Sequence, residues 1–378
     1  MKLPTDAIRE EIRQSGAIPF ARFMELALYC PETGYYEKNQ DNVGRAGDFI
    51  TSVSTGSLFG ELLAFQFAEW LEQLPRLKWS PLKIVEAGAH DGKLAADILG
   101  WLEKFRPKLF EEISYCIVEP SKIRRGWQKN TLARFDGKIK WTHTLESFQA
   151  SEEPGRNVPN LNGIIFSNEL LDAFPANRVG WDAKAKKWFE WGVILDGEKF
   201  AWTKLDDLQD GQLRACGARF PRLPESLLAV LPDDYMIETS YRAENWWREA
   251  AGKTLLHGKL LTIDYGFTTE EQFSPARLNG TLRAYHHHRV SDDLLAHPGE
   301  QDLTAHVNFS AIQQAGEEAG LKTEAYCTQP QFLTRILQKA VTEKSFASLD
   351  AKQVRQFQTL THPEHLGRAF RVLVQSRA

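Results

Sequence analysis

The chain has 378 residues, 42% of them hydrophobic and 25% charged, with a formal net charge of -4. This length can bury a full core, and the composition excludes a disordered or fibrous chain. The slightly acidic balance argues against a broad basic surface for nucleic acid phosphates, and four dispersed cysteines with no CxxC pair exclude a zinc frame or a disulfide-stapled small domain. At the amino end, residues 1–15 include Asp6, Glu10 and Glu11 and no apolar run, so they do not read as a signal peptide and a cytoplasmic chain is expected. No later stretch is apolar for long enough to span a bilayer. Residues 20–28 predict a short helix ended by Pro31, Thr33 and Gly34. A turn-rich run over 44–52 leads into residues 58–71, where Leu58, Leu62, Phe65 and Leu71 share an apolar helical face.

Beyond Pro75 and Pro81 the pattern alternates. Residues 83–87, 113–118, 138–142 and 163–166 predict strands, and residues 94–105 a helix. Residues 179–193 are hairpin-like and rich in aromatics, 205–236 have no clean period, and a helix is expected around 241–251. Residues 258–265 predict another strand, 279–304 an irregular stretch, 309–320 a helix, and 322–327 and 370–375 the last strands. Short apolar strands alternating with helices predict an α/β fold, a doubly wound and mostly parallel sheet with ligand groups at the carboxyl ends of its strands.

The strand over 83–87 runs into Glu86-Ala87-Gly88-Ala89-His90-Asp91-Gly92. Glycines there let the backbone turn tightly against a ligand, and the following helix start offers unpaired N–H groups. A dinucleotide fingerprint starting at Gly88 needs glycine where His90 and Lys93 stand. An acidic-x-Gly-x-Gly-x-Gly pattern instead matches Glu86, Gly88 and Gly92, missing only its middle glycine at His90. This favours S-adenosyl-L-methionine over NAD, with Glu86 serving the methionine ammonium and Glu119, at the next strand's end, the ribose hydroxyls. A plain strand-turn-helix with solvent carboxylates is the bland alternative.

Together with this turn, the runs at 47–52, 59–61, 118–119, 168–175, 263–266, 281–285 and 302–309 carry a resemblance over nearly the whole chain. The sequence resembles the MidA family of class I methyltransferases, also called the mitochondrial complex I assembly factor 7 family. The resemblance implies a methyltransferase sheet with an N-terminal helical region and inserted elements, S-adenosyl-L-methionine as cofactor, and a protein arginine side chain as acceptor. It assigns Gly88 and its turn to the cofactor, Glu119 to the adenosine side, and the Asp48 loop and Asn168-Glu169 to the cleft. Domain boundaries are expected at 1–80 for the helical, cofactor-covering region and 81–378 for the methyltransferase domain, with an insertion over 177–257 and a substrate-side loop region over 267–308. His90 in place of the middle glycine, and Val53-Ser54 after the Thr-Ser pair, depart from the family pattern. These departures leave open another acceptor residue, a small-molecule acceptor, or a catalytically weak assembly protein retaining the fold.

Methyl transfer needs an aimed nucleophile, and a protonated guanidinium is a poor one, so carboxylates that orient it are the residues to seek. Glu169 and Asp172 are the candidate catalytic acids, with Asn168 restraining the acceptor and also near the cofactor. Helix-start capping is their structural alternative. Gly47, Asp48, Phe49 and Thr51 are expected to cover the cofactor, beside Glu86, Gly88, His90, Gly92 and Glu119. Asp264, at another strand end, and His306 could each be structural or substrate-facing. His286-His287-His288 cannot all face one tetrahedral centre and no cysteine supports them, so no metal is expected. Trp181, Trp188, Trp191, Trp246 and Trp247 could form a partner-protein platform or the insertion's own core.

Overall fold

The short apolar segments read as strands pair into one sheet. The computed structural model describes residues 2–38, 51–148, 159–205, 224–286, 289–291, 293–343 and 349–378. Contacts divide the chain into two compact units. One comprises Gln40–Leu170, Trp246–Gly266 and Ile312–Ala378, the other Met1–Asn39, Leu171–Asn245 and Phe267–Ala311.

The first unit is built on strands β1 (Leu82–Ala87), β2 (Ser114–Val118), β3 (Ile139–Thr142), β4 (Leu161–Asn168), β5 (Leu255–Phe267), β6 (Lys322–Thr328) and β7 (Phe370–Arg377). Their order is β3-β2-β1-β4-β5-β7-β6. The pairs from β3 to β5 are parallel, and β7 runs antiparallel to both β5 and β6. Every residue of β4 is buried, as a central parallel strand covered on both faces requires. Chain order reverses between β1 and β4, the position where open α/β sheets leave a crevice at their carboxyl ends.

Helices supply the cover. Leu58–Glu72 buries Leu58, Phe59, Leu62, Phe65 and Phe67, and packs on Lys93–Phe105, Gln329–Thr342 and Ala351–Thr361. Gly60 allows the close approach, because a Cβ there would lie 2.5 Å from the Asp97 Cβ. Phe67 meets Phe166 of β4 at a ring separation of 5.0 Å. The helices Gln329–Thr342 and Ala351–Thr361 were not anticipated above, although each opens with a capping box, Thr328 with Gln331 and Asp350 with Gln353.

In the second unit, Asn177–Asp182 and Lys187–Asp196 form the expected hairpin. Tyr235–Thr239, Ile18–Pro19 and Lys199–Lys204 extend it to five strands. Pro4–Ser15 and Phe20–Tyr29 enclose a core of Ile8, Phe20, Phe23 and Val193 with Leu282, Ala284 and Leu303. The stretch expected to be irregular over 279–304 instead holds a small antiparallel sheet of Arg283–His286, Arg289–Ser291 and Asp302–Thr304. Strands of three or four residues carry too few side chains for a period to show. Trp181 lies buried against half-buried Trp188, with rings 5.1 Å apart, and Trp191 meets Trp202 edge-on.

Candidate functional site

The register of the sheet sets the site. Ala87 of β1 lies opposite Ser167 of β4, so the turn after β1 and the Asn168-Glu169-Leu170 segment leave the sheet side by side at the switch point. Gly88 and Gly92 have φ of 75° and 86°, and His90, with φ 45°, takes up the same left-handed conformation without being glycine. A Cβ on Gly88 would meet Leu170 Cδ1 at 2.8 Å, so the turn is pressed onto the segment that follows β4. The Lys93–Phe105 helix starts directly beyond, with its first backbone N–H groups turned to this end of the sheet.

Acidic residues flank the turn. Glu86 is buried and its Oε2 accepts from the Tyr115 hydroxyl at 2.7 Å. Burial pushes its carboxyl up to about 8, against the lowering effect of the Tyr115 hydrogen bond. Glu119 is also buried, and its Oε1 accepts from the Ser121 N–H at 2.9 Å with the Arg124 guanidinium 3.4 Å away. The Glu119 Oε2 accepts from Gln128 Nε2 at 3.2 Å. Sequence reasoning missed Gln128, which had no motif to mark it.

At the end of β4, Glu169 adopts φ 51°, an uncommon conformation for a residue with a side chain. Its N–H donates to the Ile263 carbonyl at 2.9 Å, and its Oε1 accepts from the Ser52 N–H at 3.1 Å and from Asn168 Nδ2 at 3.0 Å. By surface area Glu169 is only half-buried, yet desolvation still pushes its carboxyl up to about 8, beyond what the Ser52 and Asn168 hydrogen bonds offset. Glu169 Oε2 and Asn168 Oδ1 are buried and have no hydrogen-bond partner among the described residues. Asp264 braces the segment, its two carboxylate oxygens accepting from the N–H groups of Leu170 and Tyr265.

Thr51 closes a tight turn, exchanging hydrogen bonds with Ser54, and so directs its polar groups to its own loop. Asp172 belongs to the second unit, where its carbonyl accepts from the Ala305 N–H at 2.9 Å. There, burial and then the charges of Asp302 and Asp172 raise the Tyr36 phenol, which donates to Asp302 at 2.7 Å. The N–H of His306 donates to Thr281 Oγ1 at 3.2 Å. Gly47, Asp48 and Phe49 lie outside the described residues, as do His287 and His288. His286 stacks on His297, and no group of three or more metal-ligating side chains is found among the described residues.

This geometry fits S-adenosyl-L-methionine: a left-handed turn no Cβ could share with Leu170, a helix start, and a fully buried acid at the end of β2. A family model described as "Putative S-adenosyl-L-methionine-dependent methyltransferase" matches residues 62–327. The chain belongs to this methyltransferase family. It is 30% identical to the mitochondrial protein arginine methyltransferase NDUFAF7 homolog of Drosophila melanogaster, over 97% of this chain and 83% of that protein. It is 28% identical to mitochondrial NDUFAF7 of Danio rerio, also named a protein arginine methyltransferase, over 96% and 84%. A crystal structure from Burkholderia thailandensis, bound to S-adenosyl-homocysteine, matches with a TM-score of 0.80 and 30% identity over 99% of this chain and 92% of that one.

These similarities establish the MidA-family resemblance, the class I methyltransferase fold and an S-adenosyl-L-methionine-dependent methyltransferase activity. They also correct the expectation of a cytoplasmic chain, since these curated relatives are named as mitochondrial proteins. No helix among the described residues is long and apolar enough to cross a membrane.

Proposed function

We propose that this methyltransferase modifies the guanidinium of a protein arginine, received by Asn168 and Glu169. The observation that carries this reading is the pair Asn168 Oδ1 and Glu169 Oε2, adjacent buried acceptors with no partner among the described residues. A guanidinium presents five N–H donors and no acceptor, so it answers two vacant acceptors in a way a hydroxyl or thiol does not. The relatives named as protein arginine methyltransferases support the same acceptor.

S-adenosyl-L-methionine, when bound, supplies an electrophilic methyl group on a sulfonium. Gly88, His90 and Gly92 would present the backbone turn to it, Glu86 would serve its methionine side, and Glu119 would accept from its ribose hydroxyls. Glu169 holds the acceptor: an arriving cation lowers its raised carboxyl pKa, so the carboxylate is the form that meets a guanidinium. There it would orient the attacking nitrogen and could receive the proton that nitrogen loses as the new C–N bond forms and the methyl C–S bond breaks, its electron pair staying on the sulfur of the departing S-adenosyl-homocysteine. Asp172 is retained as a second carboxylate to be tested beside it.

Transfer of a labelled methyl group from the cofactor to a protein mixture, followed by total hydrolysis and amino-acid separation, tests the acceptor. Label in methylated arginine is the expected result. Label confined to lysine, histidine or small metabolites would overturn the arginine reading.

A further inference from the structure

Gln128 is fully buried on the Lys122–Thr131 helix, and its single carboxamide reaches three parts of the cofactor end. Its Oε1 accepts from the Trp141 indole N–H at 2.9 Å. Its Nε2 donates to the His90 carbonyl at 3.0 Å and to Glu119 Oε2 at 3.2 Å. The chemistry fixes this orientation. An indole N–H only donates, whereas a carbonyl and a carboxylate only accept, so a flipped amide would lose all three bonds.

Both groups that Gln128 holds need holding. His90 stands in a left-handed conformation where the family pattern has glycine, and its carbonyl accepts from Gln128 Nε2. Ser121 and Arg124 meet Glu119 Oε1 and Gln128 meets Oε2, so Gln128 is one of the groups that fix how this carboxylate faces. The helix also sits tightly on the turn, since a Cβ on Gly92 would lie 2.9 Å from Leu132 Cδ1 and 3.4 Å from the Gln128 Cα.

We infer that Gln128 is a positioning residue for the cofactor, setting the direction of the Glu119 carboxylate and of the His90 carbonyl together and so the affinity for the nucleoside end. This inference rests on the assignment of Glu119 to the ribose. Substituting Gln128→Met keeps the volume but leaves the Trp141 N–H, the His90 carbonyl and Glu119 Oε2 without their shared partner.

Calorimetry with S-adenosyl-homocysteine on the full chain, for wild type, Glu119→Gln, Gln128→Met and the double variant, tests it. Gln128→Met is expected to bind about tenfold more weakly. The double variant is expected to lose less than the product of the two single losses, because Gln128 acts in part through Glu119. A purely structural Gln128 would instead give losses that multiply. Gln128→Glu keeps an acceptor for Trp141 but turns an oxygen toward two other acceptors, and it serves where Gln128→Met does not fold. Folded Gln128 variants that bind like wild type, or multiplying losses, would overturn the inference. Unchanged binding by Glu119→Gln would overturn the ribose assignment itself, and with it this inference.

Discussion

The backbone N–H of Ser52 donates to Glu169 Oε1 at 3.1 Å, joining residues 117 positions apart in sequence. Ser52 is itself buried and donates through its hydroxyl to Gln329, whose Nε2 in turn donates to the Leu360 carbonyl. Glu169 therefore has one oxygen tied through Ser52 to the C-terminal helices and one buried oxygen with no hydrogen-bond partner among the described residues. Fixing one oxygen orients the other, which is how a carboxylate on a loop gains the precision of one on a rigid element.

The Glu86 carboxyl gives a pH dependence with a defined sign. Burial raises it from the ordinary 4.5 to about 8, so between these values the folded chain binds more protons than the unfolded one. The stabilisation is complete below pH ~4.5 and is lost as pH rises through about 8. Melting temperatures measured from pH 5 to 9 in the absence of cofactor should fall more steeply between pH 5 and about 8 for wild type than for Glu86→Gln, and the difference should level off above about 8. Parallel curves would contradict the raised value.

At Gly88 the constraint is steric. Gly88→Val combines φ 75° with a Cβ 2.8 Å from Leu170, and should cost about 2 kcal/mol or more of stability while abolishing S-adenosyl-homocysteine binding. Denaturant melts and calorimetry read both effects. Wild-type affinity in the valine variant would show that the turn does not approach the cofactor.

His90 predicts the opposite direction. Returning the family's glycine relieves a left-handed residue, so His90→Gly should stabilise by about 0.5–1 kcal/mol and retain S-adenosyl-homocysteine binding. A large destabilisation in the same melts would mean that the imidazole, whose ring lies 6.2 Å from that of Trp127, contributes packing that outweighs the strain.

The sheet was legible because its strands are buried apolar runs and its turn combines an acid with glycines at fixed spacing. Glu86, Gly88 and Glu119 are found at strand ends for that reason. What the sequence did not reveal depends on contacts remote along the chain. Ser52 meets Glu169 through a backbone amide that no residue type advertises, and Gln128 is a glutamine that is the buried residue of its helix, against the usual preference for apolar side chains there. Nor did periodicity disclose that Leu171–Asn245 and Phe267–Ala311 gather with the N-terminal helices into one unit, since such grouping is a property of the folded chain. The capping boxes at Thr328 and Asp350 are signals that the sequence carries for the two C-terminal helices.

The central claim is that the vacant oxygen of Glu169 serves a guanidinium during methyl transfer, and one paired measurement on wild type and Glu169→Gln addresses it most directly. S-adenosyl-homocysteine affinity is measured on the same samples used to quantify methylarginine formed from labelled cofactor. Near-equal affinity and a fall in methylarginine formation of about a hundredfold or more are expected in the variant. Equal rates of methylarginine formation by both proteins would contradict it.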